Sequence, residues 1–148
     1  MGIAKEIVVR RLTDDDMVEV SEWYVKRKWP VAPGGGMLPE SGYIAELNGE
    51  KLAAGWLYVT NSTIGIIDWL ATSPSAGVRG LIGIRRILRH IEDVTQGSEG
   101  VPGHHTLMTF TPNVKFAKFL KEKCGYKTAE RGLHLCVRNR RQKGKKRG

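Results

Sequence analysis

Asp68 stands in the run Ile66-Ile67-Asp68-Trp69-Leu70, a carboxylate inside an otherwise apolar segment. An unpaired buried carboxylate is costly. Such a group is either matched by an arginine or a backbone donor, or held with a raised pKa suited to proton transfer. The chain then runs Ala71-Thr72-Ser73-Pro74-Ser75-Ala76-Gly77-Val78-Arg79-Gly80-Leu81-Ile82-Gly83 into a helical pattern. Backbone N–H groups at a helix start attract anions, and glycines let a phosphate approach closely. Gly77, Gly80 and Gly83 serve a tight turn and a close packing contact equally well. Neither the dinucleotide pattern GxGxxG nor the P-loop pattern GxxxxGK[ST] is met. His104, His105, His134 and Cys136 complete the reactive inventory. Their spacing matches no structural zinc site, and no metal is expected.

Composition bounds what can surround these residues. The 148 residues carry 24 Lys+Arg against 15 Asp+Glu, a formal net charge of +9. Arg138, Arg140, Arg141, Lys143, Lys145, Lys146 and Arg147 supply seven of those charges, leaving two on the other 137 residues. The body is thus nearly balanced, and residues 138–148 form a separate basic tail expected not to fold alone. Such a tail either solubilises the chain or clamps nucleic-acid phosphates without sequence preference, with a steep salt dependence. A single domain over 1–137 is expected. A globule of this size buries roughly 68–70% of its unfolded surface, so it needs no staple. Cys124 and Cys136 sit in no CxxC pattern, which suits a reducing, cytoplasmic setting. No apolar run reaches the length of a membrane span, and no signal-peptide core opens the chain.

The elements that must position the chemistry follow from periodicity. Ile7–Leu12 reads as a strand, and Thr13 as the N-cap of a helix. Asp14, Asp15 and Asp16 sit in its first turn, and Met17, Val20, Trp23 and Tyr24 on its apolar stripe. Pro30, Pro33, Gly34–Gly36 and Pro39 make a long loop. Asn48-Gly49 between two apolar runs predicts a hairpin of 42–48 with 51–60, followed by a strand over 63–71 that is apolar on both faces. Leu81, Ile84, Ile87, Leu88 and Ile91 predict a helix over 80–94, and 106–110 a strand. Asn113 caps a helix with Phe116, Phe119, Leu120 and Cys124 inward, ended by Gly125. Leu133–Val137 closes as a strand. Trp23, Trp29, Trp56 and Trp69 are read as core or pocket wall. The predicted order, β-α-β-β-β-α-β-α-β-β, requires a parallel crossover and hence a mixed α/β sheet with helices on both faces.

This order and the loop after the fourth strand resemble the GCN5-related N-acetyltransferases (GNATs), particularly the short members encoded by bacteriophages. The family loop [Q/R]-x-x-G-x-[G/A] is matched most nearly by Gly77-Val78-Arg79-Gly80-Leu81-Ile82, with Gly77 at the opening Gln/Arg and Ile82 at the last glycine. Leu70-Ala71-Thr72-Ser73-Pro74 is similar to the entry to that loop. Thr111-Pro112-Asn113 and Lys121-Glu122-Lys123-Cys124-Gly125-Tyr126 are similar to the helix and strand after it. The resemblance spans residues 7–137.

The resemblance implies acetyl-CoA as cosubstrate, bound in the opening between the fourth and fifth strands. It implies pantetheine paired with the backbone of Leu70, Ala71 and Thr72. The pyrophosphate falls to the N–H groups from Val78 to Gly83 (Val78, Arg79, Gly80, Ile82, Gly83), and the pantetheine or acyl end to Asn113, which is also read as a plain helix cap. It makes Asp68 the base for an amine that attacks the thioester directly, in the cytoplasm (the host's, if phage-encoded). The family's thiolate-protonating tyrosine falls near Phe119 or Leu120, neither of which donates a proton. The rival expectation is a non-catalytic protein of this fold, binding nucleic acid or a protein partner through residues 138–148. The amine acceptor (protein N-terminus, lysine, polyamine, antibiotic or modified base) and the oligomeric state stay open.

Overall fold

In a computed structural model the described residues are 6–29, 38–96, 103, 106–111 and 113–129. Their order is β1 (Val8–Arg11), α1 (Asp14–Lys26), β2 (Gly42–Leu47), β3 (Glu50–Val59), β4 (Ile64–Thr72), α2 (Val78–Thr95), β5 (Thr106–Thr109) and α3 (Val114–Lys123). These eight elements follow the predicted sequence of types. The expected strand at 133–137 and the basic tail lie outside the described residues, as do His104, His105, His134, Cys136 and the Pro/Gly loop at 30–37. Among the described residues no helix is long and apolar enough to cross a membrane.

Two compact units divide the chain, Met1–Phe110 and Thr111–Gly148. The first holds a five-stranded sheet in the order β1-β2-β3-β4-β5. Its first three pairings are antiparallel and β4 pairs with β5 in parallel, with α2 as the crossover. Asn48 and Gly49, both at positive φ, make the tight β2–β3 turn.

The sheet is covered on opposite faces by α1 and α2. Val20, Trp23 and Tyr24 of α1 pack with Ile44, Ala54, Trp56 and Ala71 in one buried cluster. Ile84, Ile87, Leu88 and Ile91 of α2 are buried on the other side. There Gly83 lies so close to the sheet that a Cβ on it would come within 3.1 Å of the Ala53 Cβ. Strand alternation explains the division, since Ala53 and Ala54 are neighbours that point to opposite faces.

α1 begins with a reciprocal hydrogen bond typical of a capping box. The Thr13 N–H donates to Asp16 Oδ2 at 2.8 Å. It ends in a Schellman motif: Trp29 N–H donates to Tyr24 O and Lys28 N–H to Val25 O, with Lys28 left-handed at φ 53°. The motif's apolar contact is Trp29 on Tyr24, with ring centroids 4.7 Å apart.

In the second unit, α3 is capped by Asn113, whose side chain accepts the Phe116 N–H at 3.0 Å. Leu120 is its buried residue, and Gly125 at φ 77° follows its end, as expected.

Candidate active site at the β4 bulge

β4 carries one more residue than β3 in the middle of their ladder. Ala54 pairs with Ala71 and Trp56 with Asp68, so Trp69 and Leu70 together oppose Gly55. The bulge is set by Trp69, which takes φ 58°, a left-handed conformation costing an aromatic residue about 1–3 kcal/mol. Its effect is to turn two consecutive side chains toward the α1 face. Asp68 follows its partner Trp56 to that face, and Trp69 packs against the α1 cluster. Leu70 points the other way, onto Gly55 and toward Ile87.

The bulge coincides with the point where β4 and β5 part. Their ladder runs from Ile64↔Thr106 to Ile67↔Thr109 and stops there. From Asp68 on, the far edge of β4 has no β5 partner among the described residues. Ser73 N–H donates to Leu52 O on β3 at 2.9 Å. Alternation therefore turns Ala71 toward β3 as well and leaves Thr72 facing the open edge. α1 reaches onto this edge. Tyr24 donates its hydroxyl hydrogen to Trp69 O, and Arg27 donates to Thr72 O at 2.8 Å and to Thr72 Oγ1.

Asp68 sits at the mouth of this opening. Its Oδ1 accepts the Trp69 N–H at 2.7 Å, and no ion pair reaches it among the described residues. Burial pushes its carboxyl above the usual range, and the Trp69 N–H only partly offsets that. Two phenols share the face. Burial, then the field of Asp68, pushes Tyr24 far up, and Tyr58 shifts the same way for the same two reasons although the Trp69 indole opposes it. Tyr58 Oη accepts the Trp69 Nε1–H at 2.8 Å. The structure thus gives Asp68 a backbone donor and no described arginine partner.

The glycine loop differs from its prediction. α2 starts at Val78, two residues before the predicted boundary, so Ile82 and Gly83 lie beyond the free N–H groups of the first turn. Their N–H groups belong to the helix ladder, and anion-facing donors are confined to the turn around Val78, Arg79 and Gly80. Gly80 N–H also contacts Gly77 O at 3.1 Å. Gly77 makes the entry turn at φ 57°. Gly80 allows close packing, since a Cβ there would stand 2.8 Å from the Thr72 Cβ. The Arg79 guanidinium is engaged by Glu50, with two contacts of 2.6 and 2.9 Å. The Ala71 backbone faces β3 rather than the opening. Asn113 belongs to the second unit, where its side-chain oxygen is occupied as a helix cap.

Of the predicted site residues, the fold therefore gathers Asp68, Leu70, Thr72, Val78, Arg79 and Gly80 along one strand end and the helix start after it. Tyr24, Arg27 and Tyr58 were not read as site residues. The first appears in sequence as one more apolar position on a helix stripe. The described residues hold no group of three His, Cys, Asp or Glu able to bind a metal.

No family model matches the sequence, and no curated protein matches it significantly. Solved structures do. An aminoglycoside acetyltransferase from an uncultured soil metagenomic sample, in complex with sisomicin, is similar with a TM-score of 0.66 at 14% identity, over 94% of this chain and 100% of that one. Glucosamine-6-phosphate N-acetyltransferase from Arabidopsis thaliana gives 0.58 at 12%, over 89% and 99%. N-acetylglutamate synthase from Neisseria gonorrhoeae, complexed with coenzyme A and L-arginine, gives 0.54 at 18%, over 76% of this chain and 26% of its own length. At these identities the likeness concerns architecture: the chain has the fold of the GCN5-related N-acetyltransferases.

Proposed function

We propose that the protein transfers an acetyl group from acetyl-CoA to an amine, with Asp68 as the base. The observation that carries this reading is the coincidence at one place of three features. These are the end of the β4–β5 ladder, the bulge at Trp69, and a half-buried carboxylate with no cationic partner among the described residues. The acetyltransferases of the same fold, one of them crystallised with coenzyme A, support it.

The open edge suits an extended amide-bearing arm. Thr72 O already accepts from Arg27, but a carbonyl has two lone pairs and takes a second donor. The N–H groups of Val78, Arg79 and Gly80 begin α2 one short loop away, where an anion is favoured. Acetyl-CoA supplies the activated acyl group. An amine reaches the protein as an ammonium ion, which has no lone pair with which to attack a carbonyl carbon. Asp68, poised above the ordinary carboxylate range by burial, accepts one proton from it. The C–N bond then forms as the C–S bond breaks, the sulfur leaves as thiolate, and the second proton shed by the nitrogen reaches it through water.

Isothermal titration with coenzyme A tests the binding step, and release of free thiol from acetyl-CoA in the presence of an amine tests the chemistry. Saturable binding with amine-dependent thiol release is expected. Absence of binding at millimolar coenzyme A overturns the reading. The basic tail lies outside the described residues, and no observation favours a non-catalytic role over this one.

A further inference from the structure

The α1 face beside the bulge holds more aromatic surface than proton transfer requires. Tyr24 stands at the centre, with Trp29 at 4.7 Å between ring centroids and Trp69 edge-on at 6.1 Å. Tyr58 is tied to the Trp69 indole by a hydrogen bond. Asp68, Tyr58, Trp29 and Trp69 are each partly exposed, while Tyr24 beneath them is fully buried. Two backbone devices hold the rings there: the Schellman motif places Trp29 over Tyr24, and the left-handed bulge turns Trp69 to the same face.

The faces of indole and phenol rings carry negative potential and attract cations, more so where water is thinned. A carboxylate beside them adds charge of the same sign. Nearby Lys or Arg does not neutralise it among the described residues. The assembly therefore favours a compact positive group and disfavours a negative one, which would meet Asp68 at close range.

We infer that Asp68, Tyr58, Trp69, Trp29 and Tyr24 form a recognition site for an aliphatic ammonium ion, and that the acceptor is an alkylamine with no anionic group beside its nitrogen. The inference rests on the acyl-transfer reading for its consequence, while the binding site itself is tested without any acyl group. An α-amino acid or an amino-sugar phosphate brings its own anion toward Asp68 and is selected against. A polyamine or another alkylammonium compound is selected for.

The test uses the full chain labelled with ¹⁵N, in which each of the four tryptophans gives one indole N–H resonance. A Trp69→Phe variant assigns the resonance of Trp69. At constant ionic strength, sodium is replaced by tetramethylammonium or by n-butylammonium, with sodium butyrate as the anionic control. The Trp69 resonance is expected to move saturably with both ammonium ions and not with butyrate. In D68N the apparent affinity for n-butylammonium should fall about tenfold, the loss of one charge-assisted contact. Among acceptors, butylamine should exceed 2-aminobutyrate, whose carboxylate sits beside the nitrogen, in thiol release by about the same factor. A Trp69 resonance that ignores ammonium ions, or follows butyrate equally, overturns the inference. If coenzyme A binds while Trp69 stays silent, the acyl-transfer reading survives alone. If ammonium binds and coenzyme A does not, the recognition site stands and the acyl-transfer reading falls.

Discussion

Two aspartates on the α1 side of the sheet, Asp16 and Asp68, are treated oppositely by the fold. Asp16 is 3% exposed and crowded with donors. Arg10 clasps it through two nitrogens at 2.8 and 2.9 Å, Lys51 stands at 3.4 Å, and Thr13 donates through both its N–H and its hydroxyl. Arg10 also holds Glu46, so the network ties β1, α1, β2 and β3 together. Asp68 is less buried yet receives only the Trp69 N–H and the company of two phenols. Asp16 is consequently held well below the usual carboxylate range, chiefly by its hydrogen bonds to Arg10, while burial holds Asp68 above it. Buried charge that serves the fold is compensated completely. Asp68 lacks that compensation, which keeps its proton affinity available.

The largest effect should come from breaking the second of the pair. Asp68→Asn preserves the oxygen that accepts the Trp69 N–H but removes the base. Turnover in the thiol-release assay should fall roughly 10²–10³-fold, within the range for a general base. Stability should not fall, because a desolvated charge has been removed. A variant that unfolds more readily and keeps its turnover would reverse the roles of the two residues.

Asp16→Asn is the converse. It leaves half of the Arg10 fork without a counter-charge in a part-buried place, while Lys51 keeps Glu19 at 3.4 Å. The expected cost is about 2–3 kcal/mol in denaturant unfolding, with coenzyme A affinity unchanged once the protein is folded. A loss of less than about 0.5 kcal/mol would make this network no better than an exposed ion pair.

The comparison sharpens with pH. Asp16 binds its proton less readily folded than unfolded, so its contribution is complete above the free-chain value of 3.8 and drains away as the pH falls below it. Asp68 binds its proton more readily folded. Its contribution is present below 3.8 and is lost as the pH rises through its raised folded value. Subtracting wild-type unfolding curves from those of D16N and D68N should therefore give differences of opposite sign at neutral pH, both shrinking in acid. The acid limb of kcat/KM should follow Asp68 and disappear in D68N. Differences of the same sign would break the contrast.

Sequence made part of this legible. Asn48-Gly49 fixed the hairpin, and the switch from period two to period 3.6 located α2. The isolation of Asp68 in an apolar strand marked it for chemistry. The bulge was hidden because β4 is apolar on both faces, so a one-residue phase shift leaves no trace in its pattern. Asp16 was masked by Asp14 and Asp15, which made the trio look like simple acidic decoration of a helix start. The start of α2 was placed two residues late because Val78 and Arg79, set between Gly77 and Gly80, read as loop, whereas both are helical and Gly80 packs on Thr72.

The smallest expected effect separates strain that serves the site from strain that does not. Trp69 and Lys28 are both left-handed without being glycine, and both hold rings of the aromatic cluster in place. At Lys28 the side chain has no part in the cluster, and only the backbone conformation matters. Lys28→Gly should keep the Schellman motif, keep Trp29 on Tyr24, and raise stability by about 0.5–1 kcal/mol with turnover unchanged. At Trp69 the same relief comes with loss of the indole that flanks Asp68. Trp69→Gly should gain nothing in stability, because the packing lost against the α1 cluster outweighs the backbone relief, and should lower turnover as well. Equal behaviour of the two variants would mean that the bulge shapes the strand and contributes nothing further to the chemistry around Asp68.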